Sequence, residues 1–366
     1  MKTKIIAYYL PQYHPIKEND KWWGKGFTEW TNVAKAKPLF HGHKQPNIPA
    51  DLGFYDLRLP EIREAQANLA KKAGIYGFCY WHYWFGNGKQ LLELPLNEVI
   101  KSGKPNFPFC LGWANETWYA KVWNTKGNKK DKVLIEQTYP GKEDIINHFK
   151  SILPIIKDKR YITINNRPLI VIYKPLDIPD FPYFKTVWNT LLKESGVADS
   201  FYFIAYSIKD DDNKKIQQLG YDGINMVRYG VYRWNKHCAK DNLLRIIIHK
   251  LFNTPLRLKY SNMIKYFVGT PERNNDNIFP TIVPNWDHTP RSGRKGFLYE
   301  GVTPKLFKKH VEEVLSVSES KQDNKNIAFL KSWNEWGEGN YMEPDLRNGT
   351  MLIDTLQNIT EKYDSI

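Results

Sequence analysis

The sequence predicts a single α/β domain over residues 1–366, a (β/α)8 TIM barrel with long loops inserted at its C-terminal face. Three observations lead there. Eight short runs are apolar almost throughout, as parallel strands covered on both faces must be. Helical patterns separate them, the alternation of parallel α/β folds. After five of the runs come aromatic and titratable residues, which a barrel would gather on one rim.

The first run, Lys4–Leu10, is followed by Pro11-Gln12-Tyr13-His14. Residues 11–59 are too long for an idle connection and predict a lid or substrate wall; they carry Trp22-Trp23-Gly24-Lys25-Gly26-Phe27-Thr28-Glu29-Trp30 and His41-Gly42-His43. Pro60–Ala73 is the cleanest helix, with Glu61 and Glu64 early, Lys71 and Lys72 late, and Gly74 after it. Gly74–Tyr80 leads into Trp81-His82-Tyr83-Trp84, and Phe107–Trp113 into Ala114-Asn115-Glu116-Thr117-Trp118. Strands at Pro168–Tyr173, Phe201–Ser207 and Asp222–Arg228 then alternate with helices at Asp144–Ile156, Phe184–Glu194 and Asp212–Leu219. A second insertion covers residues 235–279. Its stretch Leu243–Phe267 mixes Leu, Ile and Phe with Arg245, Lys250, Arg257, Lys259 and Lys265, which predicts one or two basic amphipathic helices. These either pack on the barrel or make a peripheral contact with an anionic membrane surface. Pro280–Pro284 precedes Asn285-Trp286-Asp287-His288, and helices at Pro304–Val317 and Met351–Lys362 flank the last run, Asn326–Trp333.

Lys and Arg outnumber Asp and Glu, 53 to 39, so anionic partners suit the chain. No basic arm, zinc-finger spacing or helix-turn-helix appears, and no nucleic acid is expected. Three cysteines (Cys79, Cys110, Cys238) without metal-ligand spacing point to a reducing compartment. The apolar start Ile5–Leu10 is too short for a signal-peptide core, and no run is long enough to span a membrane. A cytoplasmic protein is expected, membrane-associated only if the basic insertion docks.

Chemistry concentrates in Trp333-Asn334-Glu335-Trp336-Gly337-Glu338-Gly339, at the end of the eighth run. Cleaving or transferring a glycosidic bond usually takes two carboxyls, one protonated to assist the leaving oxygen and one ionised. Two glutamates in one dry aromatic pocket would have their pKa values driven apart. Glu335 and Glu338 are therefore the candidate catalytic pair, with Trp333, Asn334 and Trp336 as sugar contacts. Further candidates for substrate binding are Trp113, Glu116 and Trp118, then His14, Glu29 and Trp30, then His82, Trp286 and Asp287. His41 and His43 lack a third ligand and read as ordinary turn residues. Gly86-Asn87-Gly88-Lys89 lacks the Ser/Thr and upstream glycine of a phosphate loop. Asp210-Asp211-Asp212 fits either a solvated turn or the metal–diphosphate motif of a nucleotide-sugar transferase. No metal or other cofactor is expected.

The motifs YYLPQYHP (8–15), WWGKGFTEWTNV (22–33), DLGFYDLRLPE (51–61), GFCYWHYWF (77–85), FPFCLGWANETW (107–118) and SWNEWGEGNYMEPD (332–345) resemble those of the WbsX-like glycosyltransferase family. That family is related to glycoside hydrolase family 99, the endo-α-mannosidases and endo-mannanases. The resemblance implies a (β/α)8 barrel, a role in cell-surface polysaccharide (O-antigen or capsule type) biosynthesis, and an oligosaccharide or activated sugar as substrate. It also implies retention, with Glu335 as base on the sugar's own 2-hydroxyl, a 1,2-anhydro intermediate, and Glu338 as general acid. An endo-α-mannosidase-like hydrolase and a non-catalytic glycan-binding barrel are the alternatives. The segment Gly223–Arg228 departs from the hydrolases' pattern.

Overall fold

A computed structural model describes residues 3–120, 132–322 and 324–364. Its staves are β1 (Lys4–Tyr9), β2 (Gly77–Trp84), β3 (Phe109–Trp113), β4 (Arg167–Ile172), β5 (Tyr202–Ser207), β6 (Gly223–Met226), β7 and β8 (Ile327–Leu330). Pro280 breaks β7 into Ile278–Phe279 and Thr281–Ile282. A proline has no N–H to give a ladder, so the first piece pairs with β6 and the second with β8. Each remaining stave lies parallel to its sequence neighbours, and β1 pairs with β8 from Lys4↔Ile327 onward. With the halves of β7 counted apart, nine parallel strands form a nearly closed TIM barrel, as the alternation predicts.

Helices at Pro60–Lys72, Lys142–Ile156, Phe181–Glu194, Pro304–Glu319 and Met351–Asp364 alternate with the staves. Local chemistry starts two of them: the Asp180 carboxylate accepts from Tyr183 N, the Thr303 hydroxyl from Leu306 N, and a proline occupies each first turn. Inside the barrel, the Tyr8 hydroxyl donates to Asn225 Oδ1 at 2.8 Å, and Asn225 Nδ2 to Thr281 Oγ1 at 2.8 Å. Asn225 in the departing segment is thus a core polar bridge between β1, β6 and β7.

The second stave does not stop at Tyr80. It runs on to Trp84 because Gln90–Leu91 folds back antiparallel on it, with Tyr83↔Leu91 in register. The turn between them is Gly86-Asn87-Gly88, all at positive φ (90°, 51° and 71°). The phosphate-loop lookalike is a hairpin turn.

Both long connections carry structure. Residues 11–59 hold short helices at Lys17–Trp23 and Glu29–Lys35. Within 235–279, the helical expectation holds for Leu243–Phe252 and fails at Leu256–Lys259, which is a strand. Leu256 and Leu258 face inward there and Arg257 and Lys259 outward, the period of two that a β-ladder imposes. This strand lies parallel to Phe297–Glu300. Around the ladder, Tyr260, Met263, Phe267, Trp286 and Tyr299 build a second core beside the barrel's. Asp210 is tied to Arg228 Nη2 and Nη1, and Arg228 also grips the fully buried Glu272 at 2.6 Å. Among the described residues no group of His, Cys, Asp or Glu is arranged to hold a metal ion.

Candidate active site

Residues at or just past the C-terminal ends of seven staves line a cleft of about 570 Å³. Trp81, Tyr83, Tyr173, Tyr206 and Tyr229 give it an aromatic surface; Glu29, Glu116, Glu335 and Glu338 give it carboxylates; Arg291 and Lys331 give it cations. Trp81 lies flat on Tyr8, ring centroids 4.7 Å apart, so the aromatic wall rests on the barrel core.

The glutamate pair is placed by backbone anchors. Asn334 accepts from Leu10 N at 2.8 Å and donates to Leu10 O at 3.0 Å, which stitches the end of β8 to the end of β1. The Tyr13 hydroxyl donates to Asn334 O and accepts from Trp336 N. Glu335 then leaves this splint, and a 3-10 turn over Trp336–Glu338 brings the second carboxylate back beside the first. Two glycines in the turn leave room for its neighbours. A Cβ on Gly337 would lie 2.4 Å from Glu29 Oε2, and one on Gly339, whose φ is +54°, 2.7 Å from Asp287 Cβ.

Arg291 is the electrostatic hub. Its Nη1 lies 2.6 Å from Glu338 Oε1 and 3.1 Å from Glu335 Oε1, and its Nη2 lies 3.0 Å from Glu29 Oε2. Two contacts to one nitrogen keep the two glutamate oxygens within about 6 Å, inside the range where carboxyls perturb one another. His288 Nε2 adds a contact to Glu338 at 3.3 Å, and Lys331 Nζ one to Glu335 at 3.5 Å. Lys331 also stands over the rings of Tyr229 and Trp286, at 5.4 and 5.5 Å.

These partners drive the two carboxyls apart. Burial raises the Glu335 pKa, the neighbouring Glu338 charge raises it further, and Lys331 and Arg291 offset this only in part. Burial would raise Glu338 as well, but the Arg291 guanidinium and His288 overturn that and hold it far below the usual carboxylate range. Of the two, Glu335 therefore has the higher proton affinity and Glu338 the lower.

Of the residues singled out in the sequence, the cleft collects Glu335, Glu338, Glu29, Glu116 and Trp118. Glu116 is half-exposed and pairs with Lys174 at 3.3 Å. Trp118 stands edge-on to Tyr83, centroids 5.1 Å apart. The others lie elsewhere. Trp333 is wholly buried against Phe78, Trp336 stacks on Tyr341 at 3.8 Å, and Asn334 is spent on backbone. Trp113 packs on Phe184 and His148 and donates to Trp84 O. His82 meets His148 nitrogen to nitrogen at 2.9 Å, and burial pushes its pKa down to about 4. Strand alternation explains His82: Trp81 and Tyr83 line the cleft, so the residue between them points the other way.

His14 is buried and bonded to Pro11 O, and Trp30 donates to Tyr55 O within an aromatic cluster. Trp286 stacks behind Tyr229 at 4.2 Å. Asp287 is a bracket: it accepts from His43, Gln45 and Thr289. Burial would push its pKa up, but those bonds hold it below the ordinary value. His43 is therefore no idle turn histidine; it fastens the first long loop to the segment carrying Arg291. Missed in the sequence were Arg291, His288 as a partner, Lys331, and the tyrosines at the ends of β4, β5 and β6.

Beneath the pair lies Glu343, wholly buried. It accepts from Trp336 Nε1 at 2.6 Å, Gln66 Nε2 at 2.6 Å and Tyr55 Oη at 2.9 Å. Burial pushes its pKa up, the donors pull it part of the way back, and it comes to rest at about 7. A carboxyl raised in the folded state stabilises the fold below its unfolded pKa, and that stability is lost as pH rises through the folded one. From about pH 4.5 to 7 the loss is about 3 kcal/mol. Glu343→Gln is expected to flatten this slope in urea unfolding; an unchanged slope would show Glu343 ionised in the fold.

A family model described as glycosyltransferase WbsX matches residues 5–356. Two proteins of Xanthomonas campestris pv. campestris, both described as uncharacterized protein WxcX, are 33% and 32% identical over 369 residues, covering 100% of this chain and 50% of each relative. The chain thus spans half the length of those relatives. Among solved structures, the GH99 endo-alpha-mannosidase of Bacteroides thetaiotaomicron aligns with a TM-score of 0.56 at 16% identity, over 99% of this chain and 98% of that one. A glycoside hydrolase-like protein aligns with a TM-score of 0.62 at 14% identity, over 98% and 93%. At such identities the likeness is one of fold.

Proposed function

Because the chain belongs to the glycosyltransferase WbsX family, and is thereby a carbohydrate-active enzyme, we propose that it remodels a preformed glycan of cell-surface polysaccharide assembly, breaking a glycosidic bond with retention through Glu335 and Glu338. One observation carries this: both carboxylates converge on Arg291 inside a cleft walled by Trp81, Tyr83, Tyr173, Tyr206 and Tyr229. Flat aromatic faces take sugar rings, and two close carboxyls supply the proton traffic.

In the proposed cycle Glu335 takes the proton of the sugar's 2-hydroxyl, and that oxygen closes on the anomeric carbon. The anomeric C–O bond breaks, and Glu338 gives its proton to the departing oxygen. An acceptor hydroxyl, from water or another sugar, then opens the 1,2-anhydro ring from the retained face. Glu338 takes the acceptor's proton and Glu335 returns its own to the 2-oxygen. These are the roles the family resemblance implies. Arg291 and His288 favour the opposite order of proton affinities, so these roles require their hold on Glu338 to loosen as the sugar binds. A sugar that displaces Arg291 from between the carboxylates removes the largest of the influences that hold Glu338 ionised, and leaves His288 beside it.

A preformed glycoside suits the cleft better than a sugar nucleotide. The cations lining it among the described residues, Arg291 and Lys331, both face carboxylates already, so a diphosphate would meet Glu29, Glu116, Glu335 and Glu338. Incubation with α-mannoside oligomers and, separately, with sugar nucleotides, followed by mass and NMR analysis of products, tests this. Products are expected from the oligomers alone; turnover of sugar nucleotides alone would sink the proposal.

A further inference from the structure

We propose that the helix Leu243–Phe252 is a docking surface for anionic phospholipid, lying in the membrane interface with its apolar face down. Sixteen large apolar side chains are exposed among the described residues, and six of them belong to this one ten-residue helix. Elsewhere such residues stand singly or, at Tyr119 and Val133, as one cross-strand pair, which is ordinary; here six are contiguous. Leu243, Ile247 and Leu251 form one row at intervals of four, and Leu244, Ile248 and Phe252 the adjacent row. Leu244, Leu251 and Phe252 are each about 70% exposed (70%, 73% and 68%). A helix packed on the barrel by that face would show the reverse. The face that does pack is the opposite one, where Ile246 reaches the second core.

Charge selects the occupant. At 100° per residue, Arg245 falls along one edge of the apolar face and Lys250 along the other. Between Arg233 and Lys259 there are seven Lys or Arg and a single acid, Asp241. Arg245 and Arg257 are shared with Glu300, whereas Lys236, Lys240 and Lys250 are exposed on the same stretch. An apolar face edged by cations matches the boundary between acyl chains and anionic headgroups. No helix among the described residues is long and apolar enough to cross a membrane, so the contact is peripheral. It stands independently of the reaction proposed above.

The test is co-sedimentation of the whole chain with vesicles of phosphatidylcholine alone, or with about 30% phosphatidylglycerol. Binding is expected only to the anionic vesicles, weakening in high salt. Leu244→Ser/Leu251→Ser/Phe252→Ser alters exposed side chains only, and Lys240→Glu/Lys250→Glu reverses charge. Each is expected to lower binding at least tenfold with an unchanged circular dichroism spectrum. Wild-type vesicle binding retained by the serine variant would overturn the proposal, as would no binding by the wild type. So would a wild-type dimer in sedimentation velocity that the serine variant dissolves, since the patch would then pair with a second copy.

Discussion

Glu335→Gln and Glu338→Gln are each expected to lower kcat by about a thousandfold or more, with fold and glycan binding retained. Glutamine keeps the shape and part of the hydrogen bonding but can neither take nor give the proton. The two variants should part company on a substrate with a dinitrophenyl leaving group, which departs without a proton. Glu338→Gln should regain most of its rate on it, because only the acid is missing. Glu335→Gln should not, because the 2-hydroxyl still has to be deprotonated. Wild-type rates in both variants would end the two-glutamate proposal. Rescue of the Glu335 variant instead would reverse the roles and match the order of proton affinities that Arg291 and His288 impose.

The second large effect is expected at Arg291. Arg291→Met removes one cation from among Glu29, Glu335 and Glu338, all of which are largely buried. Removing one partner of a buried ion cluster costs about 3–5 kcal/mol, because the charges left behind are uncompensated. The deficit should depend on pH in a definite direction. Unpaired buried carboxyls take folded-state pKa values above their unfolded ones, so their stabilising contribution is whole in acid and disappears as pH rises through the folded value. Urea unfolding at pH 5 and pH 7.5 should therefore show the variant nearer to wild type at the lower pH. An equal deficit at both would mean that Arg291 contributes by packing alone.

The barrel was legible because its signals are local: apolar runs, capped helices and proline starts lie within a few residues of one another. The convergence of Glu335 and Glu338 was legible for the same reason. The surroundings were not. Trp333, Trp336 and Trp113 belong to aromatic-rich motifs, yet tryptophan fills a core as readily as it lines a cleft, and only the facing of each strand separates the two. His82 was misplaced by ending β2 four residues early; with the strand carried to Trp84, alternation alone would have turned it away. Arg291 carried no signal beyond its neighbours in Asp287-His288-Thr289-Pro290-Arg291. Its partners lie 262, 44 and 47 positions away in the chain, and such a meeting is a property of the closed barrel. Nor did periodicity separate Leu243–Phe252 from Leu256–Lys259, where helix gives way to strand inside one basic, apolar stretch.

The ladder between Leu256–Lys259 and Phe297–Glu300 has a mechanical consequence. Tyr299 N donates to Trp286 O and His288 N to Phe297 O, so the backbone three residues before Arg291 is hung from that ladder and its own core. The glutamates are hung from β8 and β1. Asp287 N also donates to Glu338 O at 2.8 Å, and Asn285 holds Asn340 and Tyr341, so the carboxylates and their counter-ion share one backbone seam and a shift of the annex reaches both. A change in the annex core is therefore felt at the cleft through Asp287, with no substitution in the cleft lining itself.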